Sequence, residues 1–304
     1  MLSSIMQNAE LNMDQPVTLE QLIGKGQDLP SLPEIYLRVS EQLEDENTSV
    51  QQIGKTVQND PAITTRVLKM VNSAYYGLPN QVASVAQAVS LLGRERLKHI
   101  LIGSVLRGVF SGHDNPAFSM QAFWQHSIKT AIIARQLARQ IGQIGEPEAM
   151  FTAGLLHDIG KLLLIKKFPE RMLAAEEYMI LKRVDILSAE INHVGLTHTA
   201  VGEALMHHWG LPQLLIDCTT HHHEAVHDGP NRFATHLIYL ANKLSEYVPP
   251  LDDEETQNIL DDIENWDQGE LSLEQIASAC QHADEMVFEV MESLGMVAIE
   301  ISSD

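Results

Sequence analysis

The stretch DPAITTRVLKMVNSAYYG, residues 60–77, carries apolar side chains at Ile63, Val67, Met70, Val71 and Ala74. That spacing is the stripe of a helix with one face turned to a core. Asp60 stands where an N-cap accepts free N–H groups, and Pro61, at the first helical position, loses no hydrogen bond. Gly77 is the expected stop. The same period recurs along the chain, and no run alternates apolar and polar residues long enough for a sheet. The reading is an all-α fold.

Working outward, short helices are expected from about Leu32 to Phe110, before the polar stretch SGHDNPAFS (111–119). Longer ones follow at about 119–142, 147–166, 169–183, 197–209, 212–222 and 232–247. YVPPLDDEETQ (247–257) marks a second break. Beyond it, a last helix presents Leu273, Ile276, Cys280, Val287, Met291 and Leu294 on one face. The expected organisation is a lead-in at 1–16, a first helical lobe at 17–115, a second at 116–250 and an acidic helical extension at 251–304. Residues 252–270 read as a solvated acidic surface.

Composition narrows the function. The 304 residues include 41 Asp plus Glu against 20 Lys plus Arg, a net charge of -21. Such a field repels phosphate backbones and anionic lipid, which argues against nucleic-acid and membrane-surface binding. A small anionic ligand would need a local cation. Two cysteines, Cys218 and Cys280, make no secreted disulfide framework, so a cytoplasmic setting is expected. The opening MLSSIMQNAELNMDQ has no basic segment leading into an apolar one, and HILIGSVLRGVF (99–110) is too short to span a bilayer.

Eleven of the 14 histidines lie between His126 and His236. GLLHDIGK (154–161) sets His157 and Asp158 beside apolar neighbours, where polar groups need partners. His126 falls amid Phe123, Trp124 and Ile128. His198, Gly202 and Leu205 share one helix stripe, with Gly202 small enough to admit another helix. In HHHE (221–224), at most two histidines can serve one site. Imidazoles and a carboxylate converging from separate helices suit a divalent transition metal, and Asp158 could bridge two. A lone histidine on an apolar helix face is more often a hydrogen-bonded core residue than a ligand, and the triple histidine could merely cap helix-end carbonyls. His99, His113, His227 and His282 read as surface residues, and His207 and His208 as packing beside Trp209 or facing solvent.

These residues resemble the HD superfamily of metal-dependent phosphohydrolases and, more closely, the HDOD domain, a bacterial signalling module related to it. The likeness runs from about 20 to 248. It is carried by LPSLPEIYLRV, DPAITTRVLKMVNSAYYG, AVSLLGRERLKHILI, FWQHSIKTAIIARQLA, AGLLHDIGKLLL, HTAVGEALMHHWGLP and HHHEA. The resemblance implies a two-lobed helical bundle whose second lobe is HD-like. It puts His126, His157, Asp158, His198, His222 and His223 on metal-ligand positions, and Lys161 where related enzymes contact phosphate. HHHEAVHDG is also similar to the HHE…DG stretch of HD-GYP proteins, which hydrolyse cyclic di-GMP.

Three positions depart from that pattern. Asn242 stands where the HD signature has its last aspartate, Ala122 where trimetal HD-GYP proteins have a glutamate, and PNRF follows Gly229 in place of GYP. Two readings stay open. In one, the chain is a signalling regulator with a partly kept metal site, acting through a partner protein or a nucleotide-type ligand. In the other, it is a phosphohydrolase in which iron, manganese, zinc or nickel activates water, Asp158 orients it and Lys161 holds the phosphate. The missing carboxylate favours the regulator.

Overall fold

A computed structural model describes residues 16–23, 29–110, 118–142, 146–246, 261 and 271–296. The lead-in, most of the 111–119 break, the 247–257 break and nearly all of the acidic stretch lie outside the described residues, as does His113. Among the described residues every regular element is a helix.

Before the 111–119 break come α1 (Leu19–Ile23), α2 (Glu34–Glu44), α3 (Val50–Gln58), α4 (Pro61–Val71), α5 (Val85–Leu92) and α6 (Arg94–Val109), of which α2–α6 pack on one another as the first lobe. The starts are chemically marked. Ser49 and Gln52 close a capping box on α3, and Asp60 accepts from the Ala62 and Ile63 N–H groups at 2.9 Å. Ile63, Val67, Met70 and Val71 are buried, as their period requires. The helix ends six residues before Gly77, however. Asn72 stops it, donating to the Leu68 and Val82 carbonyls and accepting from the Val82 N–H at 2.7 Å. An amide side chain thus pins the loop that follows, and Gly77 serves a later turn at φ +59.

That loop docks the first lobe on the second. Tyr75 is buried, with the Arg135 guanidinium 4.3 Å from its ring centre and 5.2 Å from that of Tyr76. Arg135 in turn donates to Glu148 at 2.8 Å, a pair removed from solvent on both sides. Burial raises the Glu148 pKa, but the charge and hydrogen bond of Arg135, with Arg96 and Arg139, outweigh it and hold the carboxyl below its usual range.

The second lobe is built on α7 (Met120–Ile141), with α8 (Pro147–Leu156) and α14 (Arg232–Glu246) packed against it. Ile128, Ile132, Ile133 and Leu137 of α7 are fully buried, each contributing about 1.5–3 kcal/mol by leaving water. Between them in sequence come α9 (Ile159–Lys167), α10 (Pro169–Lys182), α11 (Ile186–His193), α12 (His198–His208) and α13 (Gln213–His221). The final helix, α15 (Leu273–Ser293), lies along α7 and reaches back to the first lobe, where Glu289 accepts from the Ala74 N–H at 2.6 Å. Its stripe is buried except for Leu273, which is exposed at the first turn.

The helix expected at 147–166 is two helices. The His157 imidazole Nδ1 takes the Gly154 carbonyl at 2.7 Å, the acceptor an unbroken helix would assign to the Asp158 N–H. The chain turns there and restarts at Ile159. Gly160 and Gly202 let α9, α12 and α13 close in. A Cβ on Gly160 would lie 2.0 Å from the His198 carbonyl oxygen, and one on Gly202 would lie 2.6 Å from Thr219 Cγ2.

Candidate metal centre

The break after α8 aims His157 and Asp158 inward, both removed from solvent. His126 comes from α7, His198 opens α12, and His222 and His223 follow the end of α13. Five imidazoles and one carboxylate therefore meet from four directions.

Their inner faces are the informative ones. His157 Nδ1 and His222 Nδ1 face the Gly154 and Thr219 carbonyls at 2.7 and 2.8 Å. Carbonyls only accept, so both Nδ1 atoms carry the proton and both Nε2 atoms are bare. Ser245 gives its hydroxyl proton to the Asn242 carbonyl at 2.6 Å, so its oxygen accepts from His126 Nδ1 at 3.1 Å, and His126 Nε2 is bare as well. His198 Nδ1 faces the Glu190 carboxylate at 2.8 Å, and the same carboxylate accepts the His198 backbone N–H at 2.8 Å.

The bare nitrogens point at one another. His198 Nε2 lies 3.2 Å from His222 Nε2, 3.1 Å from His223 Nε2 and 3.2 Å from Asp158 Oδ1. His222 Nε2 is 3.3 Å from the same oxygen. Asp158 Oδ1 is buried without a hydrogen-bond partner. Acceptors facing acceptors in a dry site repel unless something positive stands between them. Ligands bound at about 2.0–2.1 Å around a tetrahedral ion lie about 3.3 Å apart. Four of the six edges match, and all four donor atoms lie within 4.8 Å of one another, so the donor set fits a divalent transition metal.

A second set shares the carboxylate. His126 Nε2 and His157 Nε2 are 3.2 Å apart, and lie 3.6 and 3.4 Å from Asp158 Oδ2. Here the oxygen is already engaged, because Lys161 Nζ donates to it at 2.7 Å. Asn242 stands beside His126 with its Oδ1 buried and without a hydrogen-bond partner.

Electrostatics keeps most of the donors free. Burial first, then neighbouring histidines, push His126 and His222 down to about 3, and His223 is lowered for the same reasons. These three stay neutral at ordinary pH, as ligands must. For His198, burial and Lys161 pull down, but Glu190 and Asp158 prevail and hold it above the ordinary imidazole value. Burial raises Asp158, yet Lys161 and the imidazoles hold it well below the carboxylate range. Burial lowers Lys161, and Asp158, Glu190 and Glu246 more than offset that.

The structure thus brings together His126, His157, Asp158, Lys161, His198, His222 and His223. His221 turns away: its Nδ1 binds Glu224 at 2.9 Å and its ring stacks on His227 at 4.0 Å, a separate cluster nearer the surface. Glu190 is the residue that sequence reasoning missed. It sits on α11, a helix too short to declare itself, and a glutamate there reads as solvated. His99 is a correction: it is largely buried, with Nδ1 2.8 Å from Thr152 Oγ1, and burial pushes its pKa down to about 4. His207 and His208 face solvent.

Known proteins share this arrangement of helices. An uncharacterized protein of Treponema pallidum (strain Nichols) is 24% identical over 225 residues, 73% of this chain, which spans only 43% of that relative's length. A crystal structure of a candidate phosphohydrolase from Shewanella amazonensis SB2B superposes with a TM-score of 0.70 at 24% identity, over 91% of this chain and 98% of that one. A crystal structure of an HDOD domain protein from Geobacter sulfurreducens gives 0.66 at 19% identity, over 97% and 98%. At these identities the likeness establishes the fold. Residues 29–225, from the LPSLP segment through the paired histidines after α13, match the HDOD domain family model, and the chain belongs to that family.

Proposed function

We propose that this chain is an HDOD signalling module whose second lobe holds one divalent transition metal. His198, His222, His223 and Asp158 Oδ1 are its ligands, and output comes through a bound partner and not through turnover. The carrying observation is that Lys161 already occupies Asp158 Oδ2, the oxygen a second ion would need. The ammonium supplies positive charge there, while Asn242 offers that set only a neutral amide. Four protein donors at tetrahedral spacing also leave no open position, the pattern of structural rather than catalytic sites.

The surroundings support the same reading. Lys161 is committed to Asp158, and Glu176, Glu190 and Glu246 stand around it as well, so a phosphate would meet carboxylates. Glu190 orients His198 and fixes its tautomer, as outer partners of metal ligands do. Iron, manganese, zinc and nickel are all compatible with three imidazoles and one carboxylate, with zinc closest in geometry. A bound ion would supply Lewis acidity as well as cross-linking of α9, α12 and α13.

A second reading, phosphohydrolase activity, is favoured by the retention of five converging imidazoles. Assays with bis(p-nitrophenyl) phosphate and cyclic di-GMP, in each metal, separate the two. Negligible turnover is expected. Robust metal-dependent hydrolysis abolished by Asp158→Ala overturns the regulator.

A further inference from the structure

Away from the metal centre, a cavity of about 310 Å³ opens where the lobes meet. Its walls come from both sides: Tyr36 of α2 and Ile102 of α6 on one, Ala149 of α8 and Leu211, Leu214 and Leu215 around the start of α13 on the other. The surface is mainly aliphatic and aromatic. Among the polar groups that line it, Thr152 engages His99 Nδ1, and the other His99 ring nitrogen has no protein partner among the described residues. A largely apolar concavity with a few placed polar groups is the usual form of a small-molecule site.

Size and charge select the occupant. The volume is too small for a peptide helix, whose diameter is about 10–12 Å. Glu95 and Glu146 stand at the edge, and Lys98, the one cation there, is ion-paired with Glu44. An anion is therefore repelled. Burial keeps His99 neutral, so the ring offers a hydrogen bond and not a charge.

We propose that this cavity binds a small, uncharged, mainly apolar ring compound carrying one hydrogen-bonding group for His99, and that its occupancy is coupled to the metal centre through α8 and α13. The coupling clause rests on the metal reading above; the binding clause does not. The path is short in both helices. Ala149 and Thr152 lie on α8, which ends one residue before His157, and Leu214 and Leu215 lie on α13, which ends one residue before His222. A molecule bridging α2 and α6 to these helices fixes their position relative to the first lobe.

The test uses 1-naphthol, uncharged at pH 7, and 1-naphthoate, its anionic counterpart. Both are titrated into the full chain by calorimetry, with and without prior chelation by EDTA. Naphthol is expected to saturate with a Kd below about 1 mM, and to bind at least about tenfold tighter than naphthoate. Ala149→Phe and Leu214→Trp, two independent fillings checked for native circular dichroism, should each weaken naphthol at least about tenfold. His99→Leu should weaken it also. Failure of wild type to bind naphthol, binding that survives both fillings, or preference for naphthoate overturns the site. Saturating naphthol should change zinc affinity by about fivefold or more, reciprocally. Naphthol binding with zinc affinity unchanged overturns the coupling alone. The EDTA-treated arm reads the cavity even if no metal is ever held.

Discussion

Gly160→Ala is the sharpest single perturbation of the centre, because it adds one methyl where two backbones touch. The new Cβ would stand 2.0 Å from the His198 carbonyl oxygen and 2.6 Å from the Gly202 nitrogen. Ordinary C···O contacts begin at about 3.3 Å, so α9 and α12 must part by about 1.3 Å. Neither obstacle is a side chain that can swing aside. Overpacking of this kind costs about 1–3 kcal/mol or more, and better helix propensity returns at most about 1 kcal/mol. A net loss near 2 kcal/mol lowers the melting temperature by about 3 °C for a chain of this size. The larger effect is on ligation. Asp158 precedes α9 and His198 opens α12, so their 3.2 Å contact opens by far more than the roughly 0.2 Å a metal site tolerates. Zinc affinity, measured by competition with a chromophoric chelator, should fall at least tenfold. Gly108→Ala, where a Cβ meets nothing within 4 Å, is the control and should be neutral or stabilising. A Gly160→Ala protein with wild-type melting and wild-type zinc affinity would refute the close approach and the site built on it.

Glu190→Ala removes the acceptor for both His198 Nδ1 and its N–H, and is expected to weaken metal binding about 10–100-fold by chelator competition. Asn242→Asp combined with Lys161→Ala gives the His126–His157 set a charged oxygen and frees Asp158 Oδ2, so elemental analysis should move from about one ion per chain toward two; an unchanged count means that Asn242 does not serve that set. His99 is held neutral in the fold with its pKa near 4, against about 6.5 when unfolded. The unfolded chain therefore binds the extra proton between these values, and stability falls as pH drops from about 6.5 to 4, by about 1.4 kcal/mol per unit. Urea denaturation across that window should show a shallower loss in His99→Gln.

The helices were legible where a periodic stripe met a chemical start signal, as at Asp60, which caps its helix as a side-chain acceptor. The break at His157–Asp158 was not, because apolar residues run through 147–166 without interruption and a side chain competing for Gly154 has no signature in periodicity. Gly77 looked like the stop for α4 because its conformation is permissive, while the actual stop, Asn72, works through a partner ten residues on. His99 was misread because its surroundings come from far along the chain, Thr152 lying 53 residues away. Of the three consecutive histidines, spacing said only that at most two could converge; the end of α13 turns His222 and His223 inward and leaves His221 with Glu224. Glu190 escaped for the opposite reason to the histidines: a carboxylate on a short helix looks solvated until its partner is known.

X-ray absorption at the metal edge, on protein purified and then reconstituted separately with iron, manganese, zinc and nickel, tests the centre most directly. About one ion per chain is expected, bound by three imidazole nitrogens and one oxygen at about 2.0–2.1 Å for zinc, with no second metal as a neighbour. No bound ion under any of the four conditions, or a metal–metal vector from a two-ion site, would contradict this.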